Sequence, residues 1–321
     1  MKRIPILLLA ASVLAASLTA CGSPAASSSS APPSSAQSSA AQGYTFTDDL
    51  GRTVTVEQPE RVAALIGSFA DVWCLAGGQS TLVAVAHDAW TSFDLDLSDT
   101  VADLGAVKEP NLEVLLAAQP DFILASCNTT ADLELESTFE SAGIPTAYFD
   151  IQSFDDYLNM LKICTDLTGC PENYEAYGLQ VQEQVEAAKA RQDGSAPTVL
   201  TIRATGSSCK VKGSQDFLLG EMLSDLGCVN VADSETSLLE ELSLEAILAA
   251  DPDYIFVVLQ GSDSTDAQET LEKALLSNPA WSSLRAVQEG RFHTLEHSLY
   301  NLKPNARWGE AYEKLADILY P

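Results

Sequence analysis

Asn111-Leu-Glu-Val-Leu-Leu-Ala-Ala-Gln-Pro-Asp-Phe-Ile-Leu-Ala-Ser126 occurs a second time along the chain, as Ser243-Leu-Glu-Ala-Ile-Leu-Ala-Ala-Asp-Pro-Asp-Tyr-Ile-Phe-Val-Val258. Each copy begins with a residue whose side-chain oxygen caps a helix by accepting hydrogen bonds from first-turn amides. A short apolar helix follows, and Pro120 or Pro252 ends it because proline cannot continue a helical ladder. The apolar runs at residues 122–125 and 254–258 then predict buried parallel strands.

A unit of helix and buried strand that is found twice, far apart, predicts two similar α/β lobes in one chain. The length of 321 residues accommodates two domains, and the apolar fraction of 46% suffices for a core. Small ligands bind preferentially in clefts between domains. We therefore predict an α/β fold with a ligand cleft between two lobes.

The chain carries a formal net charge of −28 at pH 7. Proteins that bind nucleic acid need a basic surface, because they must neutralise phosphates. The composition therefore argues against nucleic acid as a partner. An acidic surface mainly promotes solubility.

The N-terminal residues 1–20 have the composition of a signal peptide. Lys2 and Arg3 form its positively charged region, and an apolar run too short to be a membrane span follows. The run ends in Leu18-Thr-Ala-Cys21, which resembles the lipobox of bacterial lipoproteins, in which the cysteine becomes the lipidated first residue. The alternative is an ordinary secretory signal that a cysteine follows by chance, and both alternatives predict an exported protein.

Residues 21–43 are almost wholly Ser, Ala, Pro, Gly and Gln, a composition that cannot form a core and predicts a flexible tether. Pro171 stands where a helix begins, and the polar spacing after it predicts one long helix over residues 171–193. We expect an N-terminal lobe over residues 44–170 and a C-terminal lobe over residues 194–321, with this helix between them.

Seven cysteines are present, and six of them follow Cys21. Disulfides are allowed in an exported protein, but the sequence does not choose among the possible pairings. Cys164 and Cys170 are close in sequence and are the expected pair, with buried free thiols as the alternative. No Cys or His spacing in the sequence is typical of a structural zinc site.

Further motifs follow one another along the chain: Asp49-Leu-Gly-Arg-Thr-Val54, Pro59-Glu-Arg-Val62, the two repeat copies, and Ala286-Val-Gln-Glu-Gly-Arg-Phe-His293. Together with the lipobox and the tether, they resemble the periplasmic binding proteins that import iron–siderophore complexes, haem or cobalamin. The resemblance covers residues 44–321. It implies that one long rigid helix joins the lobes, and that the protein delivers its ligand to an ABC transporter permease without catalysis. We expect a monomer without a cofactor.

The resemblance also assigns a role to Glu113 and Glu245, the third residues of the two repeat copies. In the family, one glutamate on each lobe docks onto arginines of the permease. Two carboxylates on separate lobes match two basic pockets of a two-fold symmetric partner. The alternative is that each glutamate only complements its helix dipole, which stabilises a helix by about 0.3–1 kcal/mol.

Loops that follow parallel strands face the ligand cleft in open α/β sheets. This rule selects candidate ligand-binding residues in both lobes: Gly67, Ser68, His87, Trp90 and Asn128 in the first, and Arg203, Gln260 and the loop at residues 296–303 in the second. Trp90 is the favoured aromatic residue, because its ring stacks on planar or macrocyclic ligands. Tyr300 is similar, and for both residues the alternative is an anchor in the core of a lobe.

Positive charge is scarce and lies mostly in the second lobe. Arg203 ends a predicted strand, and Lys210 and Lys212 follow on a loop rich in Gly and Ser. Such a cluster suits an anionic ferric siderophore or a propionate, to which an arginine forms bidentate hydrogen bonds. The alternative is that these cations only balance the acidic surface.

The three histidines are His87, His293 and His297. The spacing of His293 and His297 suits a metal site on a helix, but residues 291–295 predict a strand, on which that spacing loses its meaning. We therefore expect no metal site. His297 remains a candidate for contact with the ligand or, if the ligand is haem, with its iron.

These observations predict a lipid-anchored, extracytoplasmic substrate-binding protein of an ABC importer, with a ferric siderophore as the expected ligand. Cobalamin and haem are alternatives within the same class. A second alternative is a lipoprotein that binds free zinc or manganese, which would need a cluster of His and carboxylate ligands. The sequence contains no nucleophile elbow and no phosphate-binding loop, so we do not expect an enzyme.

Overall fold

The computed structural model describes residues 43–215, 217–240, 242–261 and 264–321. The predicted signal peptide and lipidation site, Cys21, lie outside these ranges. The first element is a hairpin, which pairs strands β1 (Tyr44–Thr47) and β2 (Thr53–Val56) in antiparallel register. Asp48 closes its turn by accepting a hydrogen bond from the Arg52 amide at 2.9 Å. The Arg52 guanidinium pairs with Asp48 and donates to the Thr146 carbonyl, which fastens the hairpin to the first lobe.

The first lobe contains a five-stranded sheet in which all strands are parallel. Its strands are β3 (Val62–Ala64), β4 (Leu82–Val85), β5 (Ala102–Asp103), β6 (Phe122–Ser126) and β7 (Thr146–Phe149). Their spatial order is β5-β4-β3-β6-β7. Its helices are α1 (Gly67–Leu75), α2 (Asp88–Thr91), α3 (Leu112–Ala117), α4 (Thr130–Glu134), α5 (Glu136–Ala142) and α6 (Phe154–Thr168), with a 3₁₀ turn at Gln79–Thr81. Neighbouring residues of β3 enter two separate apolar clusters, because both faces of the sheet are covered.

The helix between the lobes begins, as predicted, with a proline. It consists of α7 (Pro171–Tyr174), a π-helical turn (Glu175–Leu179) and α8 (Gln180–Lys189), which follow one another without a break. We expected the helix to extend to residue 193, and it ends a few residues earlier. Gly194 then adopts a φ of +81°, a left-handed conformation that suits glycine.

The second lobe contains another sheet, with spatial order β10-β8-β11-β12 and with β9 antiparallel to β8. Its strands are β8 (Thr198–Ala204), β9 (Cys209–Lys212), β10 (Val229–Asn230), β11 (Tyr254–Leu259) and β12 (Phe292–Leu295). Its helices are α9 (Leu218–Asp225), α10 (Val231–Ser234), α11 (Ser237–Glu240), α12 (Leu244–Ala250), α13 (Ser264–Leu271), α14 (Arg285–Gln288), α15 (His297–Tyr300) and α16 (Trp308–Leu319). A π-helical turn (Glu272–Leu276) and 3₁₀ turns (Pro279–Ser283 and Asn305–Arg307) complete it. None of the described helices is long and apolar enough to cross a membrane.

The repeated stretch forms the same structure in both lobes. Asn111 and Ser243 cap α3 and α12. The side-chain oxygen of each accepts a hydrogen bond from the backbone amide three residues later, at 3.1 and 3.3 Å. Asp121 and Asp253 precede β6 and β11. The carboxylate of each accepts a hydrogen bond from a backbone amide at the start of the neighbouring strand, at 3.0 and 2.9 Å. The Pro-Asp element therefore sets the register between the repeat strand and the strand beside it.

One apolar cluster extends from the first lobe through α8 and α16 into the second. Phe154 of α6 meets Trp308 of α16 edge to face, with ring centroids 5.7 Å apart. Gly309 brings α16 close to α8, because a Cβ at this position would lie 2.0 Å from the Gln184 side chain. Because close-packed interiors resist deformation, this shared core stiffens the connection between the lobes.

All six cysteines in the described residues are free thiols, so the expected Cys164–Cys170 disulfide is not formed. Cys164 is fully buried within α6, whereas Cys170 lies beyond Gly169, where α6 ends in a left-handed turn. This reversal carries the two side chains into different surroundings, although they are close in sequence. Burial raises the pKa of the Cys164 thiol, which keeps it unreactive.

Candidate functional site

Segments that follow parallel strands of the first lobe come into contact with the second lobe. The start of α1, just after β3, and the residues after β7 contact the segment that follows α15. Several of the predicted site residues, including His87, Asn128 and Gln260, follow a strand of one of the two sheets, the position at which ligands bind in open α/β sheets.

The first-lobe wall of the cleft is built around His87, which follows β4 and is exposed. Its Nδ1 lies 2.7 Å from the Asp103 carboxylate, and its ring centroid lies 6.4 Å from that of Trp90, which is half-buried. Burial alone would raise the pKa of Asp103, but hydrogen bonds from the Gly105 amide and from His87 lower it. The imidazole is therefore held by a carboxylate beside an aromatic face.

Gly67 connects the segment after β3 to the segment after β4 through a hydrogen bond. Its amide donates to the Asp88 carboxylate at 2.8 Å. A Cβ on Gly67 would lie 2.6 Å from the Ala89 amide nitrogen, so a larger residue would push the two loops apart.

Asn128 follows β6 and is exposed at the cleft. Its side-chain amide donates to Asp150 at 2.5 Å, and the same carboxylate oxygen accepts from Gln152 at 2.8 Å. The Asp150 amide donates in turn to Asp49 at 2.7 Å. This chain of contacts fixes the orientation of Asn128 and leaves its carbonyl oxygen for other donors.

The second-lobe wall presents three cations on one face of the β8–β9 pair. Arg203 lies directly opposite Lys210, and Lys212 lies on the same face as Lys210 because alternate residues of a strand share a face. The Arg203 guanidinium lies 5.9 Å from the centre of the Phe217 ring. Within the described ranges, neither Arg203 nor Lys210 forms an ion pair. Like charges that face each other across a strand pair are destabilising, and an anion bound at this face would relieve that repulsion.

Gln260 and His297 continue this wall. The Gln260 amide donates to the Ala204 carbonyl at 2.7 Å, which holds the loop after β11 against the end of β8. The Nδ1 of His297 lies 3.2 Å from the Leu259 carbonyl, and burial lowers the pKa of the imidazole. Because a carbonyl only accepts, the hydrogen is on Nδ1, and Nε2 of the neutral ring has a free lone pair.

Two predicted ligand contacts are buried instead. Tyr300 is 1% exposed and its hydroxyl donates to the Ala311 carbonyl at 3.0 Å, so its ring is a core anchor, the alternative considered above. Ser68 is also 1% exposed, and it lies beneath the contact between the lobes. Tyr300 is covered by α16, whereas Ser68 lies within α1 and is covered by the segment that carries Asn305.

His293 and His297 lie on different elements and do not form a metal site together. His293 lies on β12, as predicted, and stacks on Phe256 with ring centroids 5.6 Å apart, whereas His297 begins α15. Within the described ranges, no three His, Cys, Asp or Glu side chains form a cluster that could hold a metal ion.

A pocket of about 220 Å³ lies between the lobes beside these loops. Its lining includes Asp71 and Phe93 from the first lobe, and Ser298, Lys303 and Arg307 from the second. Asp71 and Arg307 were not selected from the sequence, because no local pattern reveals that α1 packs against the segment before α16. The pocket is smaller than the roughly 300–1,000 Å³ typical of enclosed ligand sites, so it can hold only part of a siderophore-sized ligand.

Glu113 and Glu245 occupy the same position on equivalent helices of the two lobes. Each is the second residue after the capping side chain, and each is exposed. Within the described ranges, neither carboxylate has an ion-pair partner. Both are therefore available to an external basic group.

Comparison with known proteins gives one family and a consistent set of relatives. The family described as "Periplasmic binding protein" matches residues 62–299. The iron-uptake system-binding protein of Bacillus subtilis (strain 168) is 25% identical over 223 residues, which cover 68% of this chain and 67% of that protein. The Fe(3+)-citrate-binding protein YfmC of the same organism is 24% identical over 262 residues, which cover 79% and 78%. The crystal structure of the iron uptake ABC transporter substrate-binding protein PiuA from Streptococcus pneumoniae Canada MDR_19A aligns with a TM-score of 0.68 and 20% identity, over 87% of this chain and 98% of that one.

Proposed function

Because the chain belongs to the periplasmic binding protein family, we propose that it is the lipid-anchored, extracytoplasmic substrate-binding protein of an ABC importer. It captures an anionic ferric complex, a siderophore or a ferric carboxylate, and delivers it to the permease. The observation that carries the ligand class is the cationic face formed by Arg203, Lys210 and Lys212.

Three cations on one face are unexpected in a chain with a net charge of −28. Carboxylates are abundant, yet none pairs with Arg203 or Lys210 within the described ranges. A guanidinium that stays unpaired beside a cleft suits an anionic ligand, because it can form two parallel hydrogen bonds to a carboxylate. Relatives named for iron uptake and for ferric citrate support iron as the metal of the complex.

Haem is the second candidate, because the hydrogen bond of His297 Nδ1 to Leu259 and the lowered pKa of the ring favour an Nε2 that can bind iron. A neutral imidazole nitrogen is the usual protein ligand of haem iron. Haem propionates would also satisfy the cationic face. A shifted Soret band on mixing with haem would favour this candidate over a siderophore.

We expect Arg203→Ala to weaken the binding of an anionic ferric complex by about tenfold or more, because a charge-assisted hydrogen-bond pair is lost. The measurement is a titration of tryptophan fluorescence with ferric citrate, hydroxamate and catecholate siderophores, haem and cyanocobalamin. Lys273→Ala is the matched control, since Lys273 is an exposed cation of the same lobe on a surface helix. Equal affinities for the wild type and Arg203→Ala would show that Arg203 does not contact the ligand and only balances the acidic surface.

We propose that Cys21 carries the lipid anchor, because Leu18-Thr-Ala-Cys21 resembles a lipobox. Cys21→Ala is expected to move the protein from the membrane fraction to the soluble fraction, because no acyl chain can be attached. Immunoblots of the separated fractions measure this, and Cys74→Ala controls for the loss of a thiol. Retention of Cys21→Ala in the membrane fraction would refute the anchor.

Glu113 and Glu245 are the proposed docking residues for the permease. Their support is the equivalent, exposed position of the two carboxylates on the two lobes. A permease with two-fold symmetry would offer two equivalent basic pockets.

A further inference from the structure

A short segment that follows α15 connects the second lobe directly to α1 and to the segment after β7 of the first. The Lys303 ammonium donates to the Ile151 carbonyl, just beyond the end of β7. The Asn305 side-chain amide donates to the Ser68 carbonyl at 2.9 Å and to the Asp71 carboxylate at 2.7 Å. These contacts are separate from the apolar packing of α8 on α16, which joins the lobes elsewhere.

Lys303 lies among acidic groups of the first lobe. Burial lowers the pKa of its ammonium, whereas the carboxylates of Asp150 and Asp156 oppose that shift. Asp150 is also the carboxylate that orients Asn128 at the cleft. Loss of the Lys303 charge therefore affects Asp150 directly, and Asp150 in turn orients Asn128.

The backbone conformation of Asn305 suits this contact with α1. Its φ of +49° is left-handed, a conformation that asparagine tolerates better than most residues, and the residue is 1% exposed. Burial raises the pKa of Asp71, and the hydrogen bond from Asn305 partly offsets the shift.

The contact is not arranged for the greatest stability. Among the described residues, Asn305 Oδ1 and Ser68 Oγ are buried without a hydrogen-bond partner. Unpaired buried polar atoms are unfavourable, and an apolar contact of the same shape would avoid them. A role in geometry accounts for a polar contact at this place better than a role in stability does.

We propose that Lys303 and Asn305 are positioning residues that hold the two lobes at the spacing the ligand requires. They contact α1 and the segment after β7, beside the cleft, so their loss lets the cleft adopt other spacings. Apparent affinity falls in proportion to the fraction of molecules that remain competent to bind. The consequence for affinity rests on the proposed function, whereas the spacing is a property of the ligand-free protein.

The test measures the distance between the lobes by single-molecule FRET in the full-length, ligand-free protein in detergent. Fluorophores are attached to noncanonical residues at Glu134 and Lys273, which are exposed on the first and second lobes. In Lys303→Met with Asn305→Gly, methionine keeps the length of the side chain without its charge, and glycine keeps the left-handed backbone. We expect a broader or shifted distance distribution, and a Kd for ferric citrate that rises about tenfold.

Lys303→Arg keeps the charge and is expected to retain the narrow distribution of the wild type. Lys108→Met makes the same chemical change at an exposed lysine of the first lobe and is expected to have no effect. An unchanged distribution in the double variant would overturn the proposal, as would equal broadening in Lys108→Met. If circular dichroism shows that the double variant is unfolded, Asn305→Gly alone is judged by the same criterion. A shifted distribution in a protein whose wild type does not bind ferric citrate would support the positioning role and refute that ligand.

Discussion

The variant Glu113→Arg with Glu245→Arg is expected to abolish uptake of radiolabelled iron while its affinity for the iron complex stays at the wild-type value. Each carboxylate is exposed on the first turn of a short helix, and the two helices are equivalent elements of the two lobes. Charge reversal at both places opposes two basic pockets at once, and like charges across an interface cost several kcal/mol. Neither side chain belongs to the cleft walls, so the ligand contacts remain.

The matched control reverses two exposed glutamates at other places, Glu140→Arg on α5 and Glu272→Arg in the second lobe, which changes the net charge by the same amount. This control is expected to transport normally, because a long-range effect of net charge is screened at physiological salt. Uptake is measured in cells that lack the native protein, and affinity is measured by fluorescence titration. Transport by the Glu113, Glu245 variant, or a loss of its ligand affinity, would show that these residues do not dock.

The repeat could be predicted because its signals are local. A capping side chain, a short apolar helix, a Pro-Asp pair and an apolar run act within a few residues, and Asn111 and Ser243 cap α3 and α12 as expected. The helix that starts at Pro171 was predicted for the same reason. The hydrogen bonds from Asp121 and Asp253 to the neighbouring strand were not predicted, because they depend on which strands become neighbours in the sheet.

The sequence did not predict β9. Residues 206–214 were expected to form a loop, because they contain Gly and Lys, which are depleted in strands, and Ser, which is common in turns. Pairing with the long strand β8 overrides that preference. The result matters for the site, since the pairing places Lys210 opposite Arg203 and turns three scattered cations into one surface.

Strand ends predicted which polar residues lie at the edges of the two sheets, but not the contacts between the lobes. Arg203, His87, Asn128 and Gln260 follow or end parallel strands, which the periodicity of apolar runs reveals. Asn305 contacts residues more than two hundred positions away in sequence, and nothing local to it signals that contact. The expected disulfide was wrong for a related reason, because closeness in sequence does not determine the direction of a side chain.

Asp132 is expected to make the stability of the protein fall as the pH rises from about 4 to about 7. Its side chain is completely buried, and one carboxylate oxygen accepts from the Ser126 amide at 2.8 Å. The other oxygen, Oδ1, has no partner among the described residues, and burial raises the pKa of Asp132 to about 7. Between these pH values the folded state retains a proton that the unfolded state has released, so rising pH favours unfolding.

Asp132→Asn removes this titration and keeps an oxygen that can accept from Ser126. One pKa unit corresponds to about 1.4 kcal/mol, so the free energy of unfolding of Asp132→Asn minus that of the wild type should increase by up to about 4 kcal/mol from pH 4 to pH 8. The measurement is urea unfolding at several pH values, with Asp99→Asn, an exposed aspartate, as the control. Parallel pH profiles for the wild type and Asp132→Asn would show that Asp132 titrates normally. A pH-dependent difference would show that Asp132, which holds the end of β6 just before Asn128, stays protonated in the folded state up to about pH 7.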